Sequence, residues 1–213
     1  MDSIADIRKD YKLQTFSEKD AVADPFAQFG KWWKEALHAG VDEVNAMTLA
    51  TASADGMPDA RIVLLKGFDE RGFTFFTNYH SVKGQELLEN PRGCLVFFWK
   101  ELERQVRISG LVVLTSEKES DEYFNSRPEG SRIGAWASPQ SERIDDRAWL
   151  EQNEQKVREE FADGAIGRPP HWGGYRVKPT RIEFWQGRSN RLHDRILYDL
   201  QKNGSWKIGR LAP

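Results

Sequence analysis

The sequence predicts a mainly β protein with flanking helices, folded as an antiparallel, Greek-key-like barrel. Short runs rich in β-branched and aromatic residues, separated by turns with Asp and Gly, fill 46–114 and return after 174. Helical patterns lie between these two groups of strands. A chain of 213 residues suits one large domain or two small ones, and strands at both ends of the sequence favour one sheet system. We therefore expect a mobile segment over 1–22 and a single domain over 23–213, with a helical insert at about 117–163.

The composition excludes several classes of protein. The net charge is −2, which disfavours a nucleic-acid-binding protein. No apolar run reaches the ~18 residues that a membrane span needs, and no signal peptide is evident at the N-terminus. The single cysteine, Cys94, and the scattered histidines predict no metal site and suit a cytoplasmic protein.

The N-terminal quarter predicts two helices. A short one is expected near Ile4–Tyr11. Asp24 and Pro25 read as the N-cap and first residue of the second helix, and Gly40 ends it. Its apolar residues recur at helical spacing: Phe26, Phe29, Trp33 and Leu37.

Five strands with short connections follow. A turn at Ala54–Gly56 separates the first two strands, and Ser81 reads as the N-cap of a short helix that runs through Leu88. The strands are predicted at Met47–Thr51, Arg61–Lys66, Phe73–Thr77, Cys94–Trp99 and Gln105–Leu114.

The second half begins with helices and ends with strands. Helices are predicted at Lys118–Ser126, after Pro128, and at about Asp145–Phe161, before a loop over Gly164–Gly174. The closing strands are predicted at Tyr175–Val177, Arg181–Gln186, Arg191–Tyr198 and Trp206–Leu211.

The run after Trp185 carries the clearest chemical signal. In a strand, Arg191, His193 and Arg195 share one face, while Leu192 points to the other. Two cations beside a titratable ring are costly to bury without an anion, so we expect an anionic ligand there. His193 suits a general acid or base, although a structural histidine is the alternative.

Cations also bracket the second predicted strand. Arg61 and Lys66 flank Ile62–Leu65, and a spacing of five places them on opposite faces of a regular strand. They would then serve two anions, or the two ends of a stacked pair of ligands. Solvated charges at the strand ends are the alternative interpretation.

Two helix starts could hold phosphate. Thr77, Ser81 and Lys83 surround one of them. At the other, Pro128 breaks the chain, so that Arg127 just precedes a helix whose first turn carries Ser131, with Tyr123 one turn back. Ordinary capping with surface cations remains the alternative at both.

Taken in order, these segments resemble the pyridoxine/pyridoxamine 5′-phosphate oxidase family from about Arg8 onward. The resemblance is carried by Arg61–Lys66, Phe76–Asn78, Ser81–Lys83, Gln105, Tyr123, Arg127, Ser131, Gln140-Ser141, Trp172–Arg176, Glu183–Arg195 and Trp206–Pro213. It implies an FMN-binding split β-barrel homodimer, with the flavin at the subunit interface.

The resemblance also assigns residues. Phosphate ligands of FMN are implied at Arg61, Lys83 and Ser141. Further FMN contacts are implied at Ile62, Val63, Leu64, Leu65, Lys66, Phe76, Thr77, Gln105, Gln140, Trp185 and Arg195. The residues implied to bind the substrate phosphate are Lys66, Tyr123, Arg127 and Ser131. Those implied to contact the pyridine ring are Arg191, Leu192 and His193, of which Arg191 and His193 are the implied catalytic residues. Arg8 and Tyr11 resemble a segment that covers the active site.

The implied reaction oxidises the 4′ carbon of pyridoxamine or pyridoxine 5′-phosphate to give pyridoxal 5′-phosphate, in vitamin B6 biosynthesis and salvage. A hydride passes to the flavin, O2 becomes H2O2, and the amine also yields NH3. Two rivals remain: a flavin oxidase of the same fold that acts on a phenazine precursor, and a carrier without turnover.

Two positions depart from the family pattern. Val82 stands where an arginine is usual before the helix lysine, which predicts FMN binding weaker by about 1–3 kcal/mol if a charge-assisted hydrogen bond is lost. Gly167 stands where proline is common, which is expected to loosen the loop before Trp172.

Overall fold

We describe residues 3–4, 9–162 and 164–213 in a computed structural model. The helix predicted near 4–11 lies largely outside these residues, and Lys9–Tyr11 adopt no regular structure. The first helix, α1 (Pro25–His38), begins as predicted: the Asp24 carboxylate accepts the N–H groups of Phe26 and Ala27. It ends before Gly40, whose φ is +67°.

The buried face of α1 differs from the predicted one. Phe29, Trp32 and Ala36 are buried, whereas Leu37 is 54% exposed. The apolar spacing predicted that Trp33 and Leu37 face the core. Because Trp32 and Trp33 are adjacent, the spacing is compatible with either of two buried helix faces. Packing of Phe16 and Phe184 on Trp32, with ring centroids 5.0 and 5.2 Å away, accounts for the face that is buried.

Side chains cap three of the four remaining α-helices of the described chain, and the fourth follows Pro128 without a side-chain cap. The Ser81 hydroxyl accepts the N–H of Gly84 at the start of the second helix, as predicted. Ser116 and Glu119 form a capping box at the third, and Asp146 caps the fifth. These helices are α2 (Val82–Glu89), α3 (Glu117–Ser126), α4 (Glu129–Ala137) and α5 (Arg147–Glu160).

Nine strands are found in the described chain. Seven lie in the order β2-β1-β5-β6-β7-β4-β3, β8 also pairs with β7, and β9 with β8. Short β3 was missed by the sequence analysis. The strands are β1 (Ala46–Ala52), β2 (Pro58–Leu64), β3 (Gly67–Asp69), β4 (Gly72–Asn78), β5 (Arg92–Trp99), β6 (Arg104–Leu114), β7 (Trp172–Gln186), β8 (Asp194–Leu200) and β9 (Trp206–Arg210). A mainly β protein with flanking helices is confirmed.

The closing part of the chain corrects three predictions. The loop predicted to Gly174 ends earlier, because Trp172 already begins β7. The two strands predicted around Pro179 are one continuous strand. The strand predicted from Arg191 starts only at Asp194, because a short 3-10 turn occupies Ser189–Arg191, with φ +57° at Asn190 and +60° at Arg191.

Antiparallel pairing of β4 with β7 brings two predicted segments together. Thr77 lies opposite Gly173, and Phe76 opposite Gly174. A side chain at Gly173 would collide with the Tyr79 phenol, and one at Gly174 with Thr115 and Phe76. The two glycines therefore let these rings approach the backbone of β7.

The chain divides into two compact units. The first contains the described residues of 1–49, 94–110 and 179–213, and the second contains 50–93 and the described residues of 111–178. Phe29, Phe97 and Trp99 pack within the first. Phe124, Ile133, Val157 and Trp172 are among the buried residues of the second. The single-domain prediction stays a prediction. No helix of the described chain is long and apolar enough to cross a membrane.

Candidate functional site

A cavity of about 780 Å³ opens in the second unit. It is bounded by β2, the end of β4, the first turn of α2, the α3–α4 junction and Trp172. Twelve residues predicted for the site line it: Arg61, Ile62, Val63, Leu64, Lys66, Phe76, Thr77, Lys83, Tyr123, Arg127, Ser131 and Gln140.

Arg61 at the cavity wall is held by oxygen groups. Its Nη2 lies 2.5 Å from Asp59 Oδ2 and 3.1 Å from Glu86 Oε2, and its Nη1 bonds to the Thr51 hydroxyl. The buried Glu86 carboxylate also accepts the Thr51 hydroxyl at 2.5 Å. These contacts orient the guanidinium before any ligand arrives.

Lys83 lies beside this group and is almost fully buried, with 8% of its surface exposed. Its Nζ is 3.4 Å from both Ser81 Oγ and Gln140 Oε1, and Gln140 also accepts the Thr77 hydroxyl at 3.0 Å. Burial, and next the charge of Arg61, hold the pKa of Lys83 below its ordinary value, against Asp59 and Glu86. A bound anion would stabilise the charged ammonium group and so raise the pKa of Lys83 again.

Arg127 follows α3 and is stacked on an aromatic ring. Its guanidinium carbon lies 4.6 Å from the centroid of Trp172. Its Nη1 is buried and makes no hydrogen bond to any residue in the described ranges. Burial lowers its pKa. A buried guanidinium donor with this geometry is suited to an anionic acceptor from outside the chain.

Aromatic rings form one wall of the cavity. Phe76 and Tyr123 are stacked with centroids 4.1 Å apart, and Phe76 lies 5.6 Å from Trp172 at an interplanar angle of 12°. Lys66 Nζ is 5.8 Å from the centroid of Tyr123. The cavity thus combines flat apolar surfaces with cations, which suits a planar ligand that carries phosphate.

The prediction that Arg61 and Lys66 lie on opposite faces of one strand is wrong. Because β2 ends at Leu64, Lys66 is not on the strand, and strand alternation does not apply to it. Its backbone N–H donates to Thr74 instead. Both side chains line the same cavity. That they serve two phosphates remains a prediction.

Two predicted residues of this unit do not line the cavity. Leu65 is buried, and Ser141 follows Gln140 in an exposed turn with φ +75°. Six further residues line the cavity but were not assigned to the site from the sequence: Asn78, Pro128, Gly134, Ala135, Ser138 and Trp172. Asn78 and Trp172 lie in segments that carry the family resemblance. Trp172 also precedes two glycines that permit close packing.

The remaining predicted residues belong to the first unit: Gln105 on β6, Trp185 on β7, Arg195 on β8, and Arg191, Leu192 and His193 before β8. Arg195 is held by Glu183, with Nε 2.7 Å from Oε1, and by the Ala212 carbonyl at 2.8 Å. Glu183 is buried and also pairs with Arg107 at 3.3 Å.

His193 does not share a strand face with Arg191, because the turn at Ser189–Arg191 precedes it. Its Nδ1 accepts the backbone N–H of Arg188 at 3.1 Å, and its ring lies 4.5 Å from that of Trp185. Burial, then the charges of Arg191 and Arg195, lower its pKa. A neutral ring with Nδ1 as acceptor carries its proton on Nε2, so His193 presents a donor.

A metal-based site has no support in the parts of the chain that the structure describes. No group of three or more His, Cys, Asp or Glu side chains there is arranged to hold an ion.

Comparison with protein families gives two matches. Residues 33–161 match the model described as pyridoxamine 5′-phosphate oxidase. Residues 172–213 match the model described as the pyridoxine 5′-phosphate oxidase C-terminal dimerisation region. Together they cover most of both units.

Curated relatives extend over the whole chain. A pyridoxine/pyridoxamine 5′-phosphate oxidase of Nostoc punctiforme is 60% identical over 211 residues, 99% of each chain. A protein of the same name from Ralstonia pickettii is 60% identical over 213 residues, the full length of both. The prediction of an oxidase of this family is confirmed.

Solved structures share the fold. PhzG from Burkholderia lata 383, in complex with tetrahydrophenazine-1-carboxylic acid, superposes with a TM-score of 0.88 at 34% identity, over 94% of this chain and 98% of that one. A pyridoxamine 5′-phosphate oxidase-related, FMN binding protein from Nostoc punctiforme reaches 0.71 at 18% identity, over 91% and 100%. The predicted split-barrel fold class is confirmed.

Proposed function

The chain belongs to the pyridoxine/pyridoxamine 5′-phosphate oxidase family, and we propose that it uses FMN to oxidise pyridoxamine 5′-phosphate or pyridoxine 5′-phosphate to pyridoxal 5′-phosphate. One observation carries the proposal beyond family membership: two sets of cations line a single cavity with stacked aromatic walls. Arg61 and Lys83 form the first set, and Lys66 and Arg127 the second. Two phosphorylated ligands would use both sets.

The residues of the first set fit the phosphate of FMN. Lys83 is buried with its pKa lowered, so a dianion nearby would stabilise its charged form. Arg61 is already oriented by Asp59, Glu86 and Thr51. Thr77 and Gln140 add polar groups next to Lys83. We assign these residues, with Ser141, to the nucleotide.

The second set fits the phosphate of the substrate. Arg127 offers a buried Nη1 with no hydrogen bond to the described residues, and the Trp172 ring holds its guanidinium in place. Ser131 in the first turn of α4 and the Tyr123 phenol supply neutral donors beside it. Lys66 contributes a second charge. These groups bind and orient the substrate, and they contribute through proximity.

A bound flavin would accept a hydride from the 4′ carbon and pass the two electrons to O2, which gives H2O2; with the amine substrate, water would then hydrolyse the resulting imine to the aldehyde and NH3. The chain supplies orientation and charge. His193 would donate from Nε2 to the substrate, since Arg188 occupies Nδ1. Arg191, exposed beside it, would pack against the pyridine ring.

We further propose a cytoplasmic homodimer that serves vitamin B6 biosynthesis and salvage. The predicted contacts Trp185, Arg191, Leu192, His193 and Arg195 all fall within the segment that matches a dimerisation region. That match supports a site that needs a second copy of the chain. We assign Gln105, which lies outside this segment, to the same site.

The likeness to PhzG favours a second candidate function, oxidation of a phenazine precursor. The identity is 34%, against 60% for the relatives named for the phosphorylated vitamers. A substrate without phosphate would leave the Arg127 donor buried and unpaired, which costs about 1–3 kcal/mol. The vitamer phosphates are therefore the better fit.

The purified protein tests both functions. We expect a yellow sample whose flavin bands bleach on anaerobic addition of pyridoxamine 5′-phosphate, and oxygen uptake when air is admitted. Tetrahydrophenazine-1-carboxylic acid, the compound bound in the PhzG structure, serves as the comparison compound. Bleaching by the phenazine compound alone would favour the second function. Binding of the phosphate ester without bleaching would indicate a carrier.

A further inference from the structure

Glu103 combines two features that are rarely tolerated without a reason. It is a non-glycine residue with φ +53° and ψ +40°, and its side chain is almost fully buried, with the residue only 3% exposed. The left-handed conformation and the burial of a carboxylate each cost free energy. Such a residue is retained where the surrounding contacts compensate for both.

The carboxylate of Glu103 is bound by the N-terminal segment, Lys9–Phe16. Its Oε2 accepts the backbone N–H groups of Lys12 at 2.9 Å and Leu13 at 3.1 Å. Lys9 Nζ lies 3.7 Å from Oε1. Bonds from two successive amides to one charged oxygen are strong and define the position of the backbone.

The backbone of Glu103 is bound by the segment that leads to His193. Its carbonyl accepts the N–H of Gly187 at 2.7 Å and Nε2 of Gln186 at 3.3 Å. Arg104, the next residue, repeats the pattern, since its guanidinium bonds both Gln186 and Gln14 at 2.9 and 2.5 Å. The turn at Glu103 and Arg104, directly after the 3-10 helix Lys100–Leu102, therefore joins the N-terminal segment to the segment that leads to His193.

The segment held in this way places Tyr11 against the proposed site residues. The Tyr11 ring meets Trp185 edge-on at 5.8 Å between centroids and lies 6.1 Å from His193. A Cβ at Gly187 would lie 2.8 Å from the Tyr11 ring, so the glycine makes room for it. Ser189 Oγ donates to the Tyr11 carbonyl at 3.3 Å.

We infer that Glu103 is a positioning residue, which fixes the N-terminal segment so that Tyr11 covers Trp185 and His193. The anchoring follows from the contacts of Glu103 alone. Its consequence for substrate binding rests on the proposed function, because Trp185 and His193 are assigned to the site there.

Glu103→Gly tests the side chain without disturbing the turn. Glycine adopts φ +53° readily and keeps the carbonyl that binds Gly187 and Gln186. We expect trypsin to cleave the folded protein after Lys12 about tenfold faster or more, since the loss of charge-assisted bonds lowers the free energy of local opening. Glu103→Gln, which keeps an oxygen acceptor, should be intermediate. Glu101→Gln, an exposed neighbour, should match the wild type.

Steady-state kinetics of the holoenzyme test the consequence. In Glu103→Gly we expect KM for pyridoxamine 5′-phosphate to rise about fivefold or more, with kcat within about twofold, because the segment binds and does not react. In a Tyr11→Ala background the same change should have little further effect on KM, because both variants remove one interaction.

Two results would overturn the inference. One is a cleavage rate after Lys12 in folded Glu103→Gly that stays within about twofold of the wild type. The other is a KM effect that adds fully to that of Tyr11→Ala. If the wild type fails to oxidise the vitamer phosphates, the proposed function is wrong, and the cleavage rates still decide whether Glu103 anchors the segment.

Discussion

In the cavity, Arg127 is half-buried and lies against Trp172, and its buried Nη1 makes no hydrogen bond to the described residues, whereas Arg195 in the first unit is held by Glu183 and Ala212. Arg188 and Arg210 resemble Arg195, since both pair with Asp194. The difference separates two uses of a cation. A guanidinium that already has a carboxylate is oriented, and one buried without such a partner is prepared for an anionic ligand.

Removing the uncompensated cation should have the largest effect. We expect Arg127→Met to raise KM for pyridoxamine 5′-phosphate about 10- to 100-fold, the range of a charge-assisted hydrogen bond. For pyridoxamine, which lacks the phosphate, the same variant should change KM little. Initial rates with both compounds measure the difference, and equal losses for the two would contradict the assignment of Arg127 to the phosphate.

Arg191 tests the other region at an exposed position. We expect Arg191→Ala to lower kcat/KM by at least about tenfold, because it removes a group that orients the pyridine ring. FMN content, read from the flavin absorbance, should stay unchanged, since the assigned phosphate contacts lie in the second unit. An unaltered kcat/KM would remove Arg191 from the mechanism.

Val82→Arg adds a cation next to Lys83, near Arg61, which is already paired with Asp59 and Glu86. Because Val82 is 47% exposed, we expect solvent to screen the new charge, so that FMN binds tighter by about 1 kcal/mol, the low end for a charged hydrogen bond. Fluorescence titration of the apoprotein with FMN measures the gain, and riboflavin, which lacks the phosphate, serves as the control. A gain for both ligands, or for neither, would refute the predicted role of the missing arginine.

The smallest effect concerns the proton of His193. Its pKa is lowered by burial and by the arginines, so we expect an NMR titration midpoint below 6.5 and an Nε2-protonated ring above it. Because the folded pKa is depressed, the associated stability is present above pH 6.5 and is lost as the pH falls through the folded pKa. A midpoint at or above 6.5 would contradict the neutral donor.

Local signals predicted the helix starts well but not the strand boundaries. Asp24, Ser81 and Pro128 mark their helices by bonds and restrictions within a few residues, so the sequence contains the information. The sequence predicted a loop through Gly174 and two separate strands, Tyr175–Val177 and Arg181–Gln186, where the structure has the single strand β7. Pairing with β4 on one side and β8 on the other keeps that strand continuous.

The candidate site shows the same difference between local signals, which the sequence contains, and long-range contacts, which it does not. Residue types and their order made Arg61, Lys66, Lys83, Tyr123 and Arg127 candidates, because charge and hydroxyl chemistry belong to the side chains themselves, and all five line one cavity. The alternation argument failed at Lys66 and Arg191, because it needs a strand and both residues lie outside one. Trp172 and Glu103 matter through contacts with residues distant in the chain, at Arg127 and Lys12.

By itself, then, the sequence determined the mainly antiparallel class and the cations available for phosphate, since these depend on composition and short-range spacing. The family followed from the resemblance of whole segments to known sequences. Tertiary structure alone decided which cations are already neutralised and which are not. Whether a guanidinium lies against a carboxylate or against a tryptophan depends on which chain segments fold together, such as Arg195 with Glu183 and Arg127 with Trp172, and burial then sets the free energy of its charge.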